Sequence, residues 1–436
     1  MSNKKEGMLM QPEKDYGFVP KLRFPEFRGT AGWKFVPLNK QAKRCTQKNR
    51  SGAITRVLTN SAEQGVVDQR DYFDKDIATQ GNLENYYVVE KGDYVYNPRI
   101  SSAAPVGPIS KNNVATGVMS PLYSVFRFGD SNNDFYAYYF KTAGWHQYMR
   151  QASSTGARHD RMAITNDDFM AVPLPASTPE EQQKIADCLA SLDELLALEV
   201  QKLDTLKTHK KGLMQQLFPA EGETLPKLRF PEFGGAGGWE RMPLSNVCNV
   251  LQGYGFPEAL QGKRNGRYPF CKVSDISRAV AESGGVLDAA ANYVDDVDLL
   301  KLRAKPIPKG ATVFAKIGEA LRLNRRAYVQ KECLIDNNAT GLKAINGVAN
   351  DYFVYLLSQL IDLNKHCGGA VPSVNKSTLE EIQVNVPAPN EQKRIADSVA
   401  SLDDLITTQT NKVYTFKNHK KGLMQQLFLA MDEVQE

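Results

Sequence analysis

Cysteine and histidine are scarce in this chain, six and five among 436 residues. The cysteines (Cys45, Cys188, Cys248, Cys271, Cys333, Cys367) are scattered and none forms a C-x-x-C pair, which argues against a disulfide framework and a zinc site. No stretch of about 18 apolar residues occurs, so no membrane span is expected. Met1 to Glu6 lead into no apolar run long enough for a signal peptide, and a reducing cytoplasm is the expected compartment. The G-x-x-x-x-G-K-[S/T] loop is absent, which argues against ATP hydrolysis of the P-loop kind. There is no Asn-Pro-Pro-aromatic or Asp-Pro-Pro-aromatic tetrapeptide of the kind adenine methyltransferases use; Asn97-Pro98-Arg99 is not one. No nuclease cluster of carboxylates and lysine stands out either, so the chain reads as non-catalytic by itself. Charge of one sign is also in short supply. A net charge of +5 permits a polyanionic partner without demanding one. The 42% hydrophobic content is enough for buried cores, and the length suits two to four domains.

What is present is a duplication. Pro20-Lys21-Leu22-Arg23-Phe24-Pro25-Glu26-Phe27 recurs letter for letter as Pro226 to Phe233, an offset of 206, and the match continues through Trp33/Trp239, Pro37/Pro243 and Leu38/Leu244. A second block, Glu181 to Phe218, recurs without a gap as Glu391 to Phe428, an offset of 210. The regions between the blocks share little. Two units of this size are too few and too long for a solenoid. The pattern is that of a pseudo-twofold internal repeat whose scaffold is alike and whose variable regions differ.

The second block predicts a long helix in each half. Thr178-Pro179-Glu180-Glu181 supplies a capping hydroxyl, a proline at the first helical position and a Glu at the third, the pattern of a capping box. Ala388-Pro389-Asn390-Glu391 keeps the Pro and Glu without the hydroxyl. Apolar residues then recur every three or four positions. In the first copy they are Ile185, Leu189, Leu192, Leu196, Leu203, Leu206, Leu213 and Leu217. In the second they are Ile395, Val399, Leu402, Ile406, Val413, Phe416, Leu423 and Leu427. This is a heptad seam, broken by polar residues at Glu199, Lys210, Gln409 and Lys420, which match between the copies in position though not all in identity. A seam accounts for packing alone. It does not account for the identity of His209 to Phe218 with His419 to Phe428, which suggests two equal docking sites for one kind of partner. The candidate docking residues are Lys210, Gly212, Met214, Gln215 and Phe218, with Lys420, Gly422, Met424, Gln425 and Phe428. Glycine inside a helix costs about 1 kcal/mol relative to Ala, so Gly212 and Gly422 suggest a close backbone approach. If the helices pair antiparallel, one head lies at each end, and a helix of about 36 residues is about 54 Å long. Such a pair could act as a ruler for half-sites about one DNA turn apart, ~34–36 Å.

The variable regions read as two α+β domains. Ile382 to Pro387 alternates like a half-buried strand, with Met170 to Leu174 as its counterpart. Lys91 to Tyr96 and Lys309 to Phe314 each read as a turn feeding a strand, and Asp351 to Leu363 as helical. The aromatics Tyr86, Tyr87, Tyr94, Tyr136, Tyr138, Tyr139 and Phe140 read as core. Basic and small polar residues gather in loops, where Arg and Lys serve phosphates and Arg, Asn and Gln read base edges. In the first head the candidates are Arg44, Lys48, Arg50, Arg99, Thr155, Arg158, His159 and Arg161. In the second they are Lys263, Arg264, Arg267, Lys316, Arg325, Arg326, Ser373, Asn375 and Lys376. A solvated surface explains any single cluster equally well. Two loops stand out for their small residues, Ser153 to Arg158 and Gly368 to Lys376.

These blocks resemble the specificity subunits of type I restriction–modification systems. The resemblance rests on P-K-L-R-F-P-E-F with Trp33 or Trp239 downstream, the P-x-x-E-Q helix start, and H-K-K-G-L-M-Q-Q-L-F. It covers the whole chain in its order of parts. It implies an α+β fold of two target-recognition domains joined by two long antiparallel coiled-coil helices. The expected layout is a tail over 1–19, a first domain over 20–176, a helix over 177–219, a second domain over 220–387, a helix over 388–429 and a tail over 430–436. It also implies double-stranded DNA as ligand, read as a bipartite asymmetric site. Two methyltransferase subunits carrying S-adenosylmethionine and two restriction/translocase subunits using ATP and Mg are the implied partners, with no cofactor or metal bound by this chain. The residues by themselves leave a second reading open, a coiled-coil interaction scaffold whose two variable domains bind a ligand other than DNA. They also leave open a third, an enzyme acting alone.

Overall fold

A computed structural model describes residues 18–72, 80–153 and 160–428. They form two compact units. One takes the residues up to Ala197 together with those from Thr415, and the other is Leu198–Tyr414. Two helices of 39 residues, Pro179–Leu217 and Pro389–Leu427, begin and end at positions equivalent under the offset of 210. Each unit therefore holds a segment of both.

Within each unit the helix segments run antiparallel. In the first, Ile185, Leu189 and Leu192 share a core with Leu423 and Leu427, and the Lys420 ammonium is paired with Asp193. In the second, Lys210 Nζ donates to both oxygens of Asp403 at 2.6 and 2.7 Å. Farther along, Gln409 Nε2 donates to the carbonyl and the carboxylate of Glu199 at 2.8 and 2.7 Å, and Lys412 pairs with the same carboxylate at 2.6 Å. Every polar break in the seam thus has a specific partner across the helix pair, which fixes register where an apolar seam alone would tolerate a slip. Lys210 with Asp403 and Lys420 with Asp193 are the same contact at equivalent positions. So is the third member of each cluster, because Tyr138 donates to Asp193 and Tyr352 to Asp403.

The ends of the seam serve the heads. Ile185, Leu189 and Leu427 are buried in the first head's core; Leu217, Ile395 and Val399 are buried in the second's. Leu203, Leu402, Ile406 and Val413 are buried along the middle, whereas Leu196, Leu206 and Phe416 are half-buried.

The heads share a sheet, of which the sequence marks one strand in each, after the turns at Lys91 and Lys309. In the first, strands Ala42–Arg44, Ser124–Phe128, Tyr94–Tyr96 and Ile109–Lys111 lie side by side in that order, all antiparallel. In the second, Cys248–Gln252, Ala339–Ala344, Thr312–Ala315 and Ala327–Val329 repeat the order, and Val286–Leu287 adds a parallel edge strand. Each head is closed by a two-stranded ladder leading to its helix. Lys34–Pro37 pairs with Pro173–Ala176, and Glu240–Pro243 with Gln383–Val386, in the same register. The first of these last strands begins later than the alternation suggested, because Asn166–Met170 is a helical turn capped by Thr165, whose Oγ1 accepts from the Asp168 N–H at 3.1 Å. Asp351–Leu360 is helical as expected, followed by the 3-10 turn Leu363–Lys365. Tyr94, Tyr136, Tyr138, Tyr139 and Phe140 are buried, and Tyr86 and Tyr87 are half-buried.

The repeated motifs meet at one buried ion pair per unit. Thr178 Oγ1 accepts from the Glu181 N–H at 3.3 Å, but the Glu181 carboxylate does not return to complete a capping box. It accepts two hydrogen bonds from Arg23, at 2.7 and 2.8 Å, and one from Trp33 Nε1 at 3.0 Å. The second unit repeats this with Arg229 on Glu391 at 2.8 and 2.7 Å and Trp239 Nε1 on Glu391 at 3.3 Å. The remaining guanidinium donors go to the carbonyls of Thr30 and Ala31, or of Ala236 and Gly237. The carboxylate holds each arginine even more firmly protonated than usual, through the hydrogen bond first and its charge after that, with burial opposing both. One residue before each arginine, the Leu22 N–H donates to the Gln426 carbonyl and the Leu228 N–H to the Gln216 carbonyl, both at 2.9 Å. Each P-K-L-R-F segment thereby ties the start of one helix to the end of the other. Around it pack Trp33, Phe135 and Phe428 in one unit and Trp239, Phe353 and Phe218 in the other.

Removing one partner of a buried, fully bonded pair leaves a buried charge unanswered, at a cost of about 3–5 kcal/mol. Glu181→Gln and Glu391→Gln are each expected to lower stability in urea denaturation by about that amount. A drop below ~1 kcal/mol would show the pair to be dispensable.

Candidate nucleic-acid interface

The candidate loop residues separate into three groups when placed on the fold. The first group sits where two loops run side by side at the same place in both heads. The loop after strand Tyr94–Tyr96 pairs with the segment leading to helix Asn166–Met170. Arg99 forms a bridge with Arg161, and the Ile100 and Met162 N–H groups donate across it to Asp160 and Pro98 carbonyls at 2.9 Å each. In the second head the loop after strand Thr312–Ala315 pairs with the segment leading to helix Lys376–Glu381. Ile317 bridges Ser373, and the Val374 N–H donates to the Lys316 carbonyl at 3.0 Å. The structure therefore brings Arg99 together with Arg161, and Lys316 together with Ser373, Asn375 and Lys376. Arg99, Ser373, Asn375 and Lys376 are exposed. Asn375 caps its helix by accepting from the Thr378 N–H at 2.8 Å, which leaves its amide NH2 outward for other acceptors. Lys376 lies 3.5 Å from Glu380 on the same helix face. Thr155, Arg158 and His159 lie outside the described residues.

The second group lies outside these loop pairs, and two of its members are already paired. Lys263 is bound to Asp295, and Arg267 to Asp296 at 2.7 Å. Arg264 is exposed on the same loop. Arg44 ends strand Ala42–Arg44, and Lys48 and Arg50 follow it, leaving the sheet at the same end as Arg99's loop but two strands away. Their charge is available to a polyanion, but Lys263 and Arg267 must first loosen a carboxylate.

The third group consists of corrections. Arg326 is not a surface cation: it is 4% exposed, stacks on Phe314, and donates to the Asn324 side chain and the Ile361 carbonyl at 3.1 Å each. Burial pulls its pKa down to about 10, against a smaller opposing effect of Asp362, so it stays charged at neutral pH. Arg325, its neighbour, is half-buried. The docking candidates are revised as well. Phe218 and Phe428 are core residues, Met214 is buried, and Lys210 and Lys420 are engaged by Asp403 and Asp193. Gln215 and Gln425 are exposed and Met424 is half-buried. Among the described residues none makes the close approach expected at Gly212 and Gly422; a Cβ at either would meet nothing within 4 Å.

Basic residues that the sequence did not single out line a groove of about 1030 Å³ in the first unit, among them Lys21, Lys111 and Lys141. They are far apart in sequence and in no cluster, so nothing but the fold brings them together. Among the described residues there is no group of three His, Cys, Asp or Glu that could hold a metal ion, and no helix long and apolar enough to cross a membrane.

Known proteins share this arrangement. The family model described as the type I restriction modification DNA specificity domain matches residues 59–208 and again 236–414, well over half the chain. A chain of Methanocaldococcus jannaschii provisionally assigned as the MjaX type I restriction enzyme specificity subunit is 27% identical over 280 residues, 61% of this chain and 60% of that one. The MjaIX specificity subunit of the same organism is 22% identical over 348 residues, 77% of this chain and 78% of that one. The crystal structure of a type I restriction–modification S subunit from M. genitalium superposes with a TM-score of 0.57 at 13% identity, covering 94% of this chain and 99% of that one. A chain from a structural study of complex assembly and conformational transition in a type I system gives 0.54 at 15% identity, covering 91% and 96%. At those identities the superpositions speak for the fold, and the family model, matched once per head, speaks for kinship. This chain belongs to the type I restriction–modification DNA specificity family.

Proposed function

We propose that the chain is the DNA-reading, non-catalytic subunit of a type I restriction–modification complex, and that each head reads one half of a bipartite asymmetric site. The observation that carries this is the loop pair at one position in both heads, built on a shared sheet but furnished with different side chains. Arg99 and Arg161 stand where the other head has Ile317 and Ser373, with Lys316 and Asn375 beside them. Equal placement with unequal chemistry is what two half-sites of different sequence require. Arginine offers bidentate donors to guanine O6 and N7, and asparagine offers a donor–acceptor pair to adenine. The lysines and the remaining arginines meet phosphates, which position the heads without reading sequence.

The antiparallel helices set the unread spacer, and two methyltransferase subunits dock on them. Those partners bind S-adenosylmethionine and methylate adenine. Restriction/translocase subunits, with ATP and Mg, join through them. The register pairs Lys210–Asp403, Lys420–Asp193 and Glu199–Gln409 support the ruler, since they hold the helix pair to one alignment.

Mapping N6-methyladenine across the host genome, with and without this gene, is expected to reveal one split motif that depends on the chain. The absence of any motif preference would overturn the reading. In binding assays Lys316→Ala together with Lys376→Ala is expected to weaken all DNA sequences alike and to lower the salt slope by about 1 for each phosphate that is no longer neutralised. Deleting one heptad from each helix, Leu196 to Lys202 and Ile406 to Lys412, is expected to leave both half-sites unchanged and to alter their spacing or abolish binding. Unchanged spacing with full affinity would rule out the ruler.

A further inference from the structure

The groove in the first unit is lined by six lysines, Lys21, Lys111, Lys141, Lys417, Lys420 and Lys421, and by one carboxylate, Glu63. Lys111 is answered by Asp134 at 2.7 Å, and Lys420 by Asp193. Lys141, Lys417 and Lys421 have no carboxylate within ion-pair distance among the described residues, and all three are exposed to the groove or its rim. Lys141 lies over the Tyr138 ring, which it shares with Lys420. Its pKa is lowered by the surrounding protein first and by Lys420 second, with Asp193 opposing. The groove therefore concentrates positive charge that its own walls do not balance.

Its floor is apolar. Phe140, Trp145, Met424 and Phe428 line it beside Ala137 and Leu196. A volume of about 1030 Å³ takes several side chains rather than a single ion. A nucleic-acid backbone would use the ammonium groups but not the aromatic floor.

The helix wall of the groove carries a second observation. Identity between the two helices at buried positions follows from the repeated core. It also extends to positions where nothing inside the chain demands it: Lys207/Lys417, His209/His419, Lys211/Lys421 and Gln215/Gln425 are exposed in both copies. Gly212/Gly422 has open space on its Cβ side in both, at the helix-interior cost of about 1 kcal/mol. Something outside the chain that meets both helices alike accounts for this, and DNA sequences read by unlike heads do not.

We propose that this groove seats an acidic segment with apolar side chains belonging to the methyltransferase subunit, held by Lys417 and Lys421 on the helix and by Lys141 on the head. This rests on the docking reading above and gives it a location and a chemistry. The equivalent helix stripe, Lys207 and Lys211, seats the second copy. On the head side the two seats differ. Tyr138 and Tyr352 occupy the same position, so Lys141 corresponds to Tyr355, which is buried. At this position one seat has an ammonium where the other has a buried phenol.

The test is native mass spectrometry and affinity measurement on the full chain co-purified with the methyltransferase subunit of its own system. The unaltered chain is expected to hold two copies. Lys417→Glu with Lys421→Glu, both exposed, is expected to weaken one copy at least about tenfold and leave a one-to-one complex. Lys207→Glu with Lys211→Glu should remove the other copy, and the four together should remove both. Lys141→Gln is expected to weaken one copy only. Two copies retained at unchanged affinity in the Lys417/Lys421 variant would overturn the proposal. So would two copies retained with reduced DNA affinity, which would make the groove a phosphate site. An unaltered chain that holds no methyltransferase at all would instead overturn the docking reading, and this inference with it.

Discussion

Everything in this chain hangs on a carboxylate in the first turn of each long helix. Glu181 and Glu391 have no accessible side-chain surface to speak of, and each is answered by an arginine and a tryptophan from a motif about 150 residues earlier. A buried ion pair is weak evidence for stability by itself, because desolvation offsets the attraction. Its strength is specificity. Arginine's planar fork fits a carboxylate in one orientation, and the indole N–H takes a remaining lone pair. The angle at which a helix leaves its head is thereby fixed by hydrogen-bond geometry, where an apolar contact would leave it adjustable. Since the same motif also binds the far end of the other helix through Leu22 or Leu228, one short segment sets three elements at once.

Much of this is legible in the sequence, and the limits are informative. The repeated letters mark Arg23, Trp33 and Glu181 as belonging to the scaffold, and the heptads mark the helices and their polar breaks. Which residue answers which is not legible, because the pairs are far apart in sequence and periodicity describes only local neighbours. Glu181 at the third helical position reads as half of a capping box, and tertiary pairing with Arg23 displaces that local use. Phe218 and Phe428 mislead for the opposite reason: identity suggests a shared partner, when a shared core has already claimed them.

The heads show the same division. Beyond the strands Tyr94–Tyr96 and Thr312–Ala315, their common sheet is invisible in the letters because strands of three to six residues, buried on a variety of faces, keep order and register without keeping identity. Arg325-Arg326 looks like a surface pair. The chain turns through Asn324 in the left-handed region just before it, and that turn sends Arg326 inward over Phe314 as strand Ala327–Val329 begins. The loop pairs at Arg99/Arg161 and Ile317/Ser373 stand out in sequence only as basic or small-residue stretches. Their equivalence comes from the sheet beneath them.

That equivalence explains how one scaffold can serve two unlike targets. A reading surface must be rigid enough to present donors at base-edge spacing, yet free to change its side chains. Here the rigid part is the backbone pairing between two loops, which depends on N–H and carbonyl groups that every residue but proline supplies in full. Some loop side chains, such as Val374, Met162 and Ile164, pack on the core; the exposed ones carry little structural duty beyond the Lys376–Glu380 pair and a helix cap at Asn375, and that cap uses the amide oxygen alone. Substitution at the exposed loop positions therefore leaves the sheet, the lock and the helix register untouched. The opposite holds for the scaffold, where each repeated buried residue is tied to at least one other repeated residue and cannot change alone.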